Sequence, residues 1–456
     1  MQRMLASVLA FGAMCLFSAC GGGSSGSRSP GEQPDQTQYR YFSGSALANG
    51  QEDWELWRTD GTADGTRLVH DIAENGSAYP DEMTVVGNRV FFVASNDDRE
   101  NIWVTDGSDD GLQALLQVDV MGYASQLTAL GDVLYFVLST EAHGPELWRS
   151  DGTPAGTVQV ADLAPGACGS HPSSLTAFRG ELYFAAVNSC IGRPGLWKTD
   201  GTAAGTVAVL TPSSGSYPSN LTPWGDMLYF SAQVDTEYGL WRTDGTAAGT
   251  TRVRGIRVAQ HANMGLFTVA GDLLFFRANE GEHEAELWKS DGTEEGTSMV
   301  LDIHPDGAGN PQWLVALGDE VYFAAYAGES YTRLWRSDGT AAGTVQVHDA
   351  DGNAVRNMRA PVVYRDSLYF AALRDGDYPL WRLHEDGNTA EVLRDDLHLY
   401  SHRLYRPFVL NDRLLFVADD GQHGQEWWRS EGAPDNTVLV RDICPGACAS
   451  MPVMVD

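Results

Sequence analysis

The phrase that decides the fold reads Glu146-Leu147-Trp148-Arg149-Ser150-Asp151-Gly152-Thr153-Pro154-Ala155-Gly156-Thr157. Variants of it return along most of the chain, and each contains one Trp at the same place. These tryptophans are Trp57, Trp103, Trp148, Trp197, Trp241, Trp288, Trp335, Trp381 and Trp428. Neighbours are 44 to 49 residues apart, and we number the units around them repeat 1 to repeat 9. Self-similarity at a nearly constant period predicts a repeat architecture.

Repeat 4 shows what one unit contains. Short apolar runs cover 174–178, 181–186, 196–199 and 207–210, and turns rich in Gly, Asp, Asn and Ser separate them. Four short strands in a repeat of this length are typical of a β-propeller blade. After the N-terminal segment, no stretch shows helical periodicity over three turns. The sequence therefore predicts an all-β propeller.

The second strand of each unit carries a pair of bulky apolar residues, which allows the blades to be counted. The nine pairs are Tyr41-Phe42, Phe91-Phe92, Tyr135-Phe136, Tyr183-Phe184, Tyr229-Phe230, Phe275-Phe276, Tyr322-Phe323, Tyr369-Phe370 and Leu415-Phe416. Repeat 1 lacks a first strand, whereas a spare apolar run, Pro452-Val453-Met454-Val455, follows repeat 9. We therefore predict that this C-terminal strand completes the first blade and closes a single nine-bladed ring. An eight-bladed ring or two smaller propellers are the alternatives.

The repeated Trp has two interpretations. An exposed indole suits stacking on a sugar. One Trp per unit at a constant register, beside aromatic second strands, is what packing between blades requires. We therefore expect these tryptophans in the core.

An aspartate lies three residues after the Trp in seven repeats. These residues are Asp60, Asp106, Asp151, Asp200, Asp244, Asp291 and Asp338. A carboxylate here can accept hydrogen bonds from its own turn, and the following Gly supplies positive φ. Calcium binding is the alternative, although each loop offers one carboxylate where calcium loops offer several. In repeat 9, Asn436 replaces the second glycine of the phrase; because Asn tolerates the left-handed region, we expect a conformational demand there.

Variable loops are confined to one end of the predicted blades. The loops after the second and fourth strands differ in length and content, so we name this the variable end, whereas the other turns are nearly uniform. Directly before the first strands of four consecutive blades lie Tyr79, Tyr123, His171 and Tyr217. These residues predict a ligand-binding funnel. Packing beside turn prolines such as Pro80 is an alternative of equal weight.

Three histidines precede the Trp in repeats 3, 6 and 9, each near a glutamate of the phrase. The pairs are His143 with Glu146, His283 with Glu286 and His423 with Glu426. His and Glu together suit a zinc site. The three repeats lie too far apart around a ring to share one ion, so we expect a loop motif and no bound metal or cofactor.

Four cysteines lie in the repeat region. Cys168 and Cys190 fall at the same end of repeat 4, and Cys444 and Cys448 flank the loop before the closing strand. Two disulfides are expected, as is typical of an oxidising compartment. A zinc site would require cysteines from distant repeats to meet.

Charge and motifs limit the function. With 30 basic and 61 acidic residues the net charge is −31, which argues against nucleic acid and anionic membrane surfaces as partners. Nucleophile elbows, phosphate loops and zinc-protease helices are absent from the sequence of the repeat region. We therefore predict no catalytic residue, although carboxylates are abundant enough for glycoside chemistry.

The N-terminus predicts export. Residues 1–19 combine an early arginine with an apolar run that is too short for a membrane span, which indicates a signal peptide. The stretch Phe17-Ser18-Ala19-Cys20 resembles the bacterial lipobox, which implies cleavage before Cys20 and lipidation of its thiol. An ordinary cleaved signal is the alternative. Residues 20–38 contain this Cys and a Gly/Ser/Pro-rich tether, and 39–456 form the repeat domain.

The repeated phrase resembles that of the bacterial ELWxxDGT-repeat family. The match is close at Glu146-Leu147-Trp148 with Asp151-Gly152-Thr153, and repeats 2, 8 and 9 depart from it. The resemblance implies an exported, propeller-like protein and names no catalytic residue. We expect a monomeric, lipid-anchored protein of the bacterial cell envelope, at the outer membrane, that binds or scaffolds an envelope protein or glycan. A propeller hydrolase or lyase acting on extracellular polysaccharide is the alternative.

Overall fold

The structure is a computed structural model that describes residues 38–48, 51–73, 76–96, 99–117, 123–215, 217–259, 267–280, 283–399 and 406–445. The predicted signal peptide, Cys20, most of the tether and the predicted closing strand lie outside these residues. Within them the chain is all-β, with one 3₁₀ turn at Pro434–Asn436 and no α-helix. None of the described elements is a helix long and apolar enough to cross a membrane.

The strands follow one another along the chain. Repeats 1 to 3 contain β1 (Arg40–Ala48), β2 (Gln51–Thr59), β3 (Arg67–His70), β4 (Asp81–Val86), β5 (Arg89–Asn96), β6 (Arg99–Thr105), β7 (Gln113–Gln117), β8 (Ala124–Leu130), β9 (Val133–Thr140), β10 (Gly144–Ser150) and β11 (Val158–Gln159). Repeats 4 to 6 contain β12 (Ser173–Phe178), β13 (Glu181–Ala186), β14 (Gly195–Thr199), β15 (Val207–Leu210), β16 (Ser219–Trp224), β17 (Met227–Val234), β18 (Glu237–Thr243), β19 (Thr251–Arg254), β20 (Arg257–Val258), β21 (Thr268–Ala270), β22 (Leu273–Glu280), β23 (His283–Ser290) and β24 (Ser298–Leu301). Repeats 7 to 9 contain β25 (Gln312–Leu317), β26 (Glu320–Ala325), β27 (Arg333–Ser337), β28 (Val345–Gln346), β29 (His348–Asp349), β30 (Arg356–Tyr364), β31 (Ser367–Leu373), β32 (Leu380–Leu383), β33 (Thr389–Arg394), β34 (His398–Leu399), β35 (Phe408–Leu410), β36 (Arg413–Asp419), β37 (Glu426–Ser430) and β38 (Val438–Leu439).

Strands pair mainly with their neighbours in sequence, as predicted for blades. Repeats 2 to 5 each form a four-stranded antiparallel sheet, and repeat 1 contributes the three strands β1 to β3. In repeats 6 and 9 the first strand is divided into two short pieces. Repeats 7 and 8 share one sheet because Arg333 pairs with Arg356, so the described residues form eight sheets rather than nine separate ones.

The core lies between consecutive repeats. The first strands β4, β8, β12 and β16 are neighbours, and apolar clusters fill the space between the sheets. Each of the nine repeated tryptophans packs in a different cluster, which confirms the packing interpretation over an exposed sugar platform. Both faces of an inner sheet are therefore buried. The chain is a β-propeller-like, all-β repeat structure.

The turn of the phrase is stabilised by its own side chains, as repeat 3 shows. Oδ1 of Asp151 accepts hydrogen bonds from the N–H of Thr153 at 2.9 Å and from its hydroxyl at 2.7 Å. These bonds hold the pKa of Asp151 below its ordinary value. Gly152 has φ of 86°, which only glycine adopts readily. The carboxylate is thus used within the turn.

We predicted that Asn436 replaces glycine because this position requires the left-handed conformation, and that reason was wrong. The second glycine of the phrase, Gly156 in repeat 3, is absent from the described residues with positive φ, and so is Asn436. Glycine is needed for space, because a Cβ on Gly156 would lie 2.1 Å from Oδ1 of Asp151. In repeat 9 Glu431 replaces that Asp, and Oδ1 of Asn436 accepts the N–H of Ala433 at 2.9 Å instead. The Asn takes over the chemical role of the aspartate.

Candidate functional site

A recess opens at the variable end where repeats 3, 4 and 5 meet. Its volume is about 300 Å³, at the lower limit for small-ligand sites. It brings together three of the four predicted funnel residues, Tyr123, His171 and Tyr217. The two tyrosines are 48% and 38% exposed, so their rings are accessible to a ligand. The remaining lining residues are Ser125, Gln126, Val137, Pro145, Pro172 and Ser173.

His171 is positioned by the buried glutamate of the phrase. Glu146 is fully buried, and its Oε2 accepts the hydroxyl hydrogen of Ser170 while its Oε1 accepts the N–H of Ala164 at 3.3 Å. The loop is also bonded to repeat 3 by the N–H of His171, which donates to the carbonyl of Pro145 at 3.0 Å. Burial raises the pKa of Glu146. This glutamate therefore acts as a positioning residue beneath the recess.

We call a buried glutamate that accepts backbone N–H groups of the loop after the fourth strand a glutamate clamp. The clamp is present in repeats 1, 3, 6 and 9. The four glutamates are Glu55, Glu146, Glu286 and Glu426, all at most 2% exposed. Each accepts backbone N–H groups of the loop after the fourth strand of its repeat. In these four repeats alone, an Asp-Ile or Asp-Leu dipeptide begins fourteen residues after the Trp. The pairing of Glu with this dipeptide is the sequence signal that could have identified the clamp.

Hydrogen bonds hold the loop of Tyr123 and join repeat 3 to repeat 4 beside His171. The carbonyl of Tyr123 accepts the N–H of Ser139 at 2.9 Å, which ties its loop to β9. Gln126 donates through Nε2 to the carbonyl of Pro172 at 3.1 Å and thereby joins repeat 3 to repeat 4. Partial burial raises the pKa of Tyr217, so its phenol stays a hydrogen-bond donor at neutral pH. The role of Gln126 was not predicted, because it depends on contact between repeats.

Tyr79 does not line the recess. It lies in the equivalent loop between repeats 1 and 2 and is 63% exposed. Its ring stacks on Trp54, with ring centroids 6.5 Å apart and an angle of 21° between planes. The predicted four-residue funnel is therefore divided into a three-residue recess and a separate aromatic pair.

The first predicted disulfide is present. Cys168 and Cys190 are bonded, and the bond links the loop before His171 to the loop after β13. Cys444 is fully buried, whereas Cys448 lies outside the described residues, so the second disulfide stays a prediction. The Cys168–Cys190 bond restrains the loop that carries His171.

The histidines before the Trp form separate local contacts. His143 lies 3.5 Å from Asp162, and Nδ1 of His423 lies 2.7 Å from Oδ2 of Asp420. The bond to Asp420 raises the pKa of His423. The side chain of His283 is outside the described part of the structure. In the part that is described, no three His, Cys, Asp or Glu side chains are grouped as metal ligands.

Comparisons with known proteins leave the ligand open. Neither a protein-family model nor a curated protein matches the sequence, so the resemblance to ELWxxDGT-repeat proteins stays a prediction. Among solved structures, puromycin hydrolase is 13% identical with a TM-score of 0.38, over 79% of this chain and 60% of that protein. TolB from Acinetobacter baumannii is 12% identical with a TM-score of 0.31, over 68% of this chain and 77% of its own. The chain thus spans less than two thirds of puromycin hydrolase.

Proposed function

We propose that this protein is a propeller that binds a glycan through the recess formed by Tyr123, His171 and Tyr217. The observation that carries this proposal is the convergence of two exposed tyrosines and a histidine from three repeats on one cavity. Aromatic faces pack on the apolar faces of sugar rings, while phenol, imidazole and amide groups bond to hydroxyls. An envelope protein is the alternative partner, and failure of every glycan to bind the wild-type protein would favour it.

Binding is favoured over hydrolysis by the lining of the recess. A glycosidase of the common kind needs two carboxyl groups on either side of the scissile bond. The described lining residues of this recess include none. Hydrolysis of an extracellular polysaccharide remains the alternative function, and shortened products in the binding assay would support it.

We also propose that the nine repeats form one closed ring. Support comes from the contact between repeats 9 and 1, where Phe42 and Trp57 pack with Trp427 in one apolar cluster. Arg429 donates to the carbonyl of Gly61 at 3.1 Å, and the equivalent bond inside the chain joins Arg242 to Gly292 at 2.9 Å. A ninth interface like the other eight is what a nine-bladed ring requires.

The proposal also includes the location of the protein in the cell. The signal peptide of residues 1–19, the lipobox ending at Cys20 and the tether support export and anchoring at the bacterial cell envelope. The Cys168–Cys190 disulfide fits an oxidising compartment. A tethered monomer would present the variable end to envelope glycans.

The test compares glycan binding by the full-length protein with that of Tyr123→Ala/Tyr217→Ala. We expect the double variant to lose about tenfold or more in affinity on a glycan array, since removing both rings removes stacking worth about 1–3 kcal/mol. Tyr79→Ala is the matched control, because Tyr79 is an exposed tyrosine outside the recess. Unchanged binding by the double variant, with its melting temperature preserved, would exclude the recess as the site.

A further inference from the structure

A second cavity lies at the variable end, between repeats 5 and 6. Its volume is about 460 Å³, and we name it the arginine cleft. It is lined by residues of β18, β19, β20 and β22 and by the loop between β19 and β20. The side chains that carry its chemistry are Glu237, Tyr238, Arg252, Arg257, Asn279 and Glu280.

Among the charged side chains that line the cleft, Arg257 alone lacks an oppositely charged partner within the described residues. Arg252 forms an ion pair with Glu237, and Arg254 donates to both oxygens of Glu280 at 3.1 Å. Arg257 is exposed and has no carboxylate partner in the described part of the chain; its guanidinium carbon lies 4.4 Å from the centroid of the Tyr238 ring. Stacking on Tyr238 orients the planar guanidinium group of Arg257. Its N–H donors stay available for a bidentate bond to a carboxylate.

The sequence makes room for this arrangement in repeat 5. Gly239 stands where repeat 3 has the clamp residue Glu146, two residues before the Trp. A Cβ on Gly239 would lie 2.8 Å from Cδ of Arg252, so a larger residue would displace this arginine. Repeat 5 therefore has a cleft containing arginine where repeat 3 has the buried glutamate.

The arginine cleft and the recess border the same loop. Gly215 pairs with Val234, and the N–H of Asp235 donates to the carbonyl of Ser214 at 2.7 Å. The loop that carries Tyr217 is thus bonded to the turn that precedes Glu237. A ligand of several units that crosses this loop would contact both cavities.

We infer that the arginine cleft binds the carboxylate of an acidic sugar in a polysaccharide whose neighbouring units occupy the recess. The inference rests on the proposed glycan binding and adds the class of sugar. The net charge of −31 repels polyanions, but screening over about 8 Å at physiological salt limits this repulsion, whereas Arg257 acts at contact distance. The exposed carboxylates of Glu237 and Glu280 repel a second anion. They favour hydroxyl groups beside the carboxylate that Arg257 binds.

The experiment measures binding of polygalacturonate, alginate and hyaluronate by the full-length protein, with fully methyl-esterified polygalacturonate as the neutral probe. We expect at least one acidic polymer to bind, and Arg257→Gln to weaken it about tenfold or more. Arg257→Lys keeps the charge without the fork and should lie between the two. Arg356→Gln is the matched control, because Arg356 stacks on Tyr331 at the same 4.4 Å but lies outside the cleft lining.

Three results would overturn the inference. In the first, none of the three acidic polymers binds. In the second, wild type and Arg257→Gln bind the acidic polymer with equal affinity. In the third, Arg356→Gln loses as much affinity as Arg257→Gln. Failure of the recess proposal would look different, because Tyr123→Ala/Tyr217→Ala would then bind every glycan like wild type. Dependence on Arg257 in that case would support the cleft as an anion site on its own.

Discussion

At the scale of residues, the turn of the phrase is built from matched pairs. Asp151 needs glycine at position 156 because its carboxylate fills the space of a Cβ. Where Glu431 replaces the aspartate, Asn436 replaces the glycine and supplies the missing acceptor. The two exchanges therefore depend on each other, which a reading of each position alone does not show.

Residue burial also makes stability depend on pH. Burial raises the pKa of Glu55 to about 7, above its ordinary 4.5, although Ile72 and Ala78 donate to it. Because the pKa of Glu55 is higher in the folded than in the unfolded state, its protonated form stabilises the fold. This stabilisation is fully present below about pH 4.5 and is lost as the pH rises through 7. The free energy of unfolding should therefore fall between pH 5 and 7.5.

The first prediction isolates this effect with Glu55→Gln. We expect the variant to lose up to about 3 kcal/mol of the pH-dependent change seen in wild type, measured by urea denaturation between pH 5 and 7.5. The exposed Glu295→Gln serves as the control for the general loss of negative charge. Parallel pH curves for wild type and Glu55→Gln would contradict the assigned role of this carboxylate.

At the scale of elements, the first strands carry a bulge in most repeats. Residues with φ between 48° and 57° lie in six of these strands: Glu82, Gln126, Ser174, Asn220 and Trp313 in one strand each, and both Asn357 and Ala360 in β30. Register shifts accompany them in all six strands. A bulge redirects a side chain, and here Gln126 and Asn220 reach carbonyls of the following repeat. The bulges thus connect neighbouring loops at the variable end.

The second prediction concerns the loop before His171. Cys168→Ser/Cys190→Ser should lower the free energy of unfolding by about 2–4 kcal/mol and weaken glycan binding, because the bond spans 22 residues and restrains this loop. Denaturation and binding measured on the same preparation check both effects. A variant as stable as wild type would show that the bond is dispensable.

At the scale of the whole molecule, ring closure can be tested by equivalent substitutions. Arg429→Gln removes a bond between repeats 9 and 1, while Arg242→Gln removes the same bond at an internal interface. In a closed ring the interface between repeats 9 and 1 contributes to stability as an internal interface does, so each variant should lose about 1–2 kcal/mol of unfolding free energy. Destabilisation by Arg242→Gln without any effect of Arg429→Gln would instead indicate an open array.

The sequence by itself determined the strands, their order and the packing role of the Trp. Residues 173–178, 181–186, 195–199 and 207–210 form strands close to the predicted bounds. This was possible because the repeat period, alternation of apolar residues and turn chemistry are local properties, reinforced nine times along the chain. The disulfide of repeat 4 followed from the same placement of loops.

Only the tertiary structure decided which loop residues share a site. Tyr123, His171 and Tyr217 come from three repeats and meet because clamps, bulges and interface bonds orient their loops, whereas Tyr79 at the equivalent place stacks on Trp54 instead. The partners of Arg257 and the joining of repeats 7 and 8 likewise depend on contacts between residues distant in sequence. Local patterns carry no information about such contacts, because the energy that selects them arises only when the sheets pack.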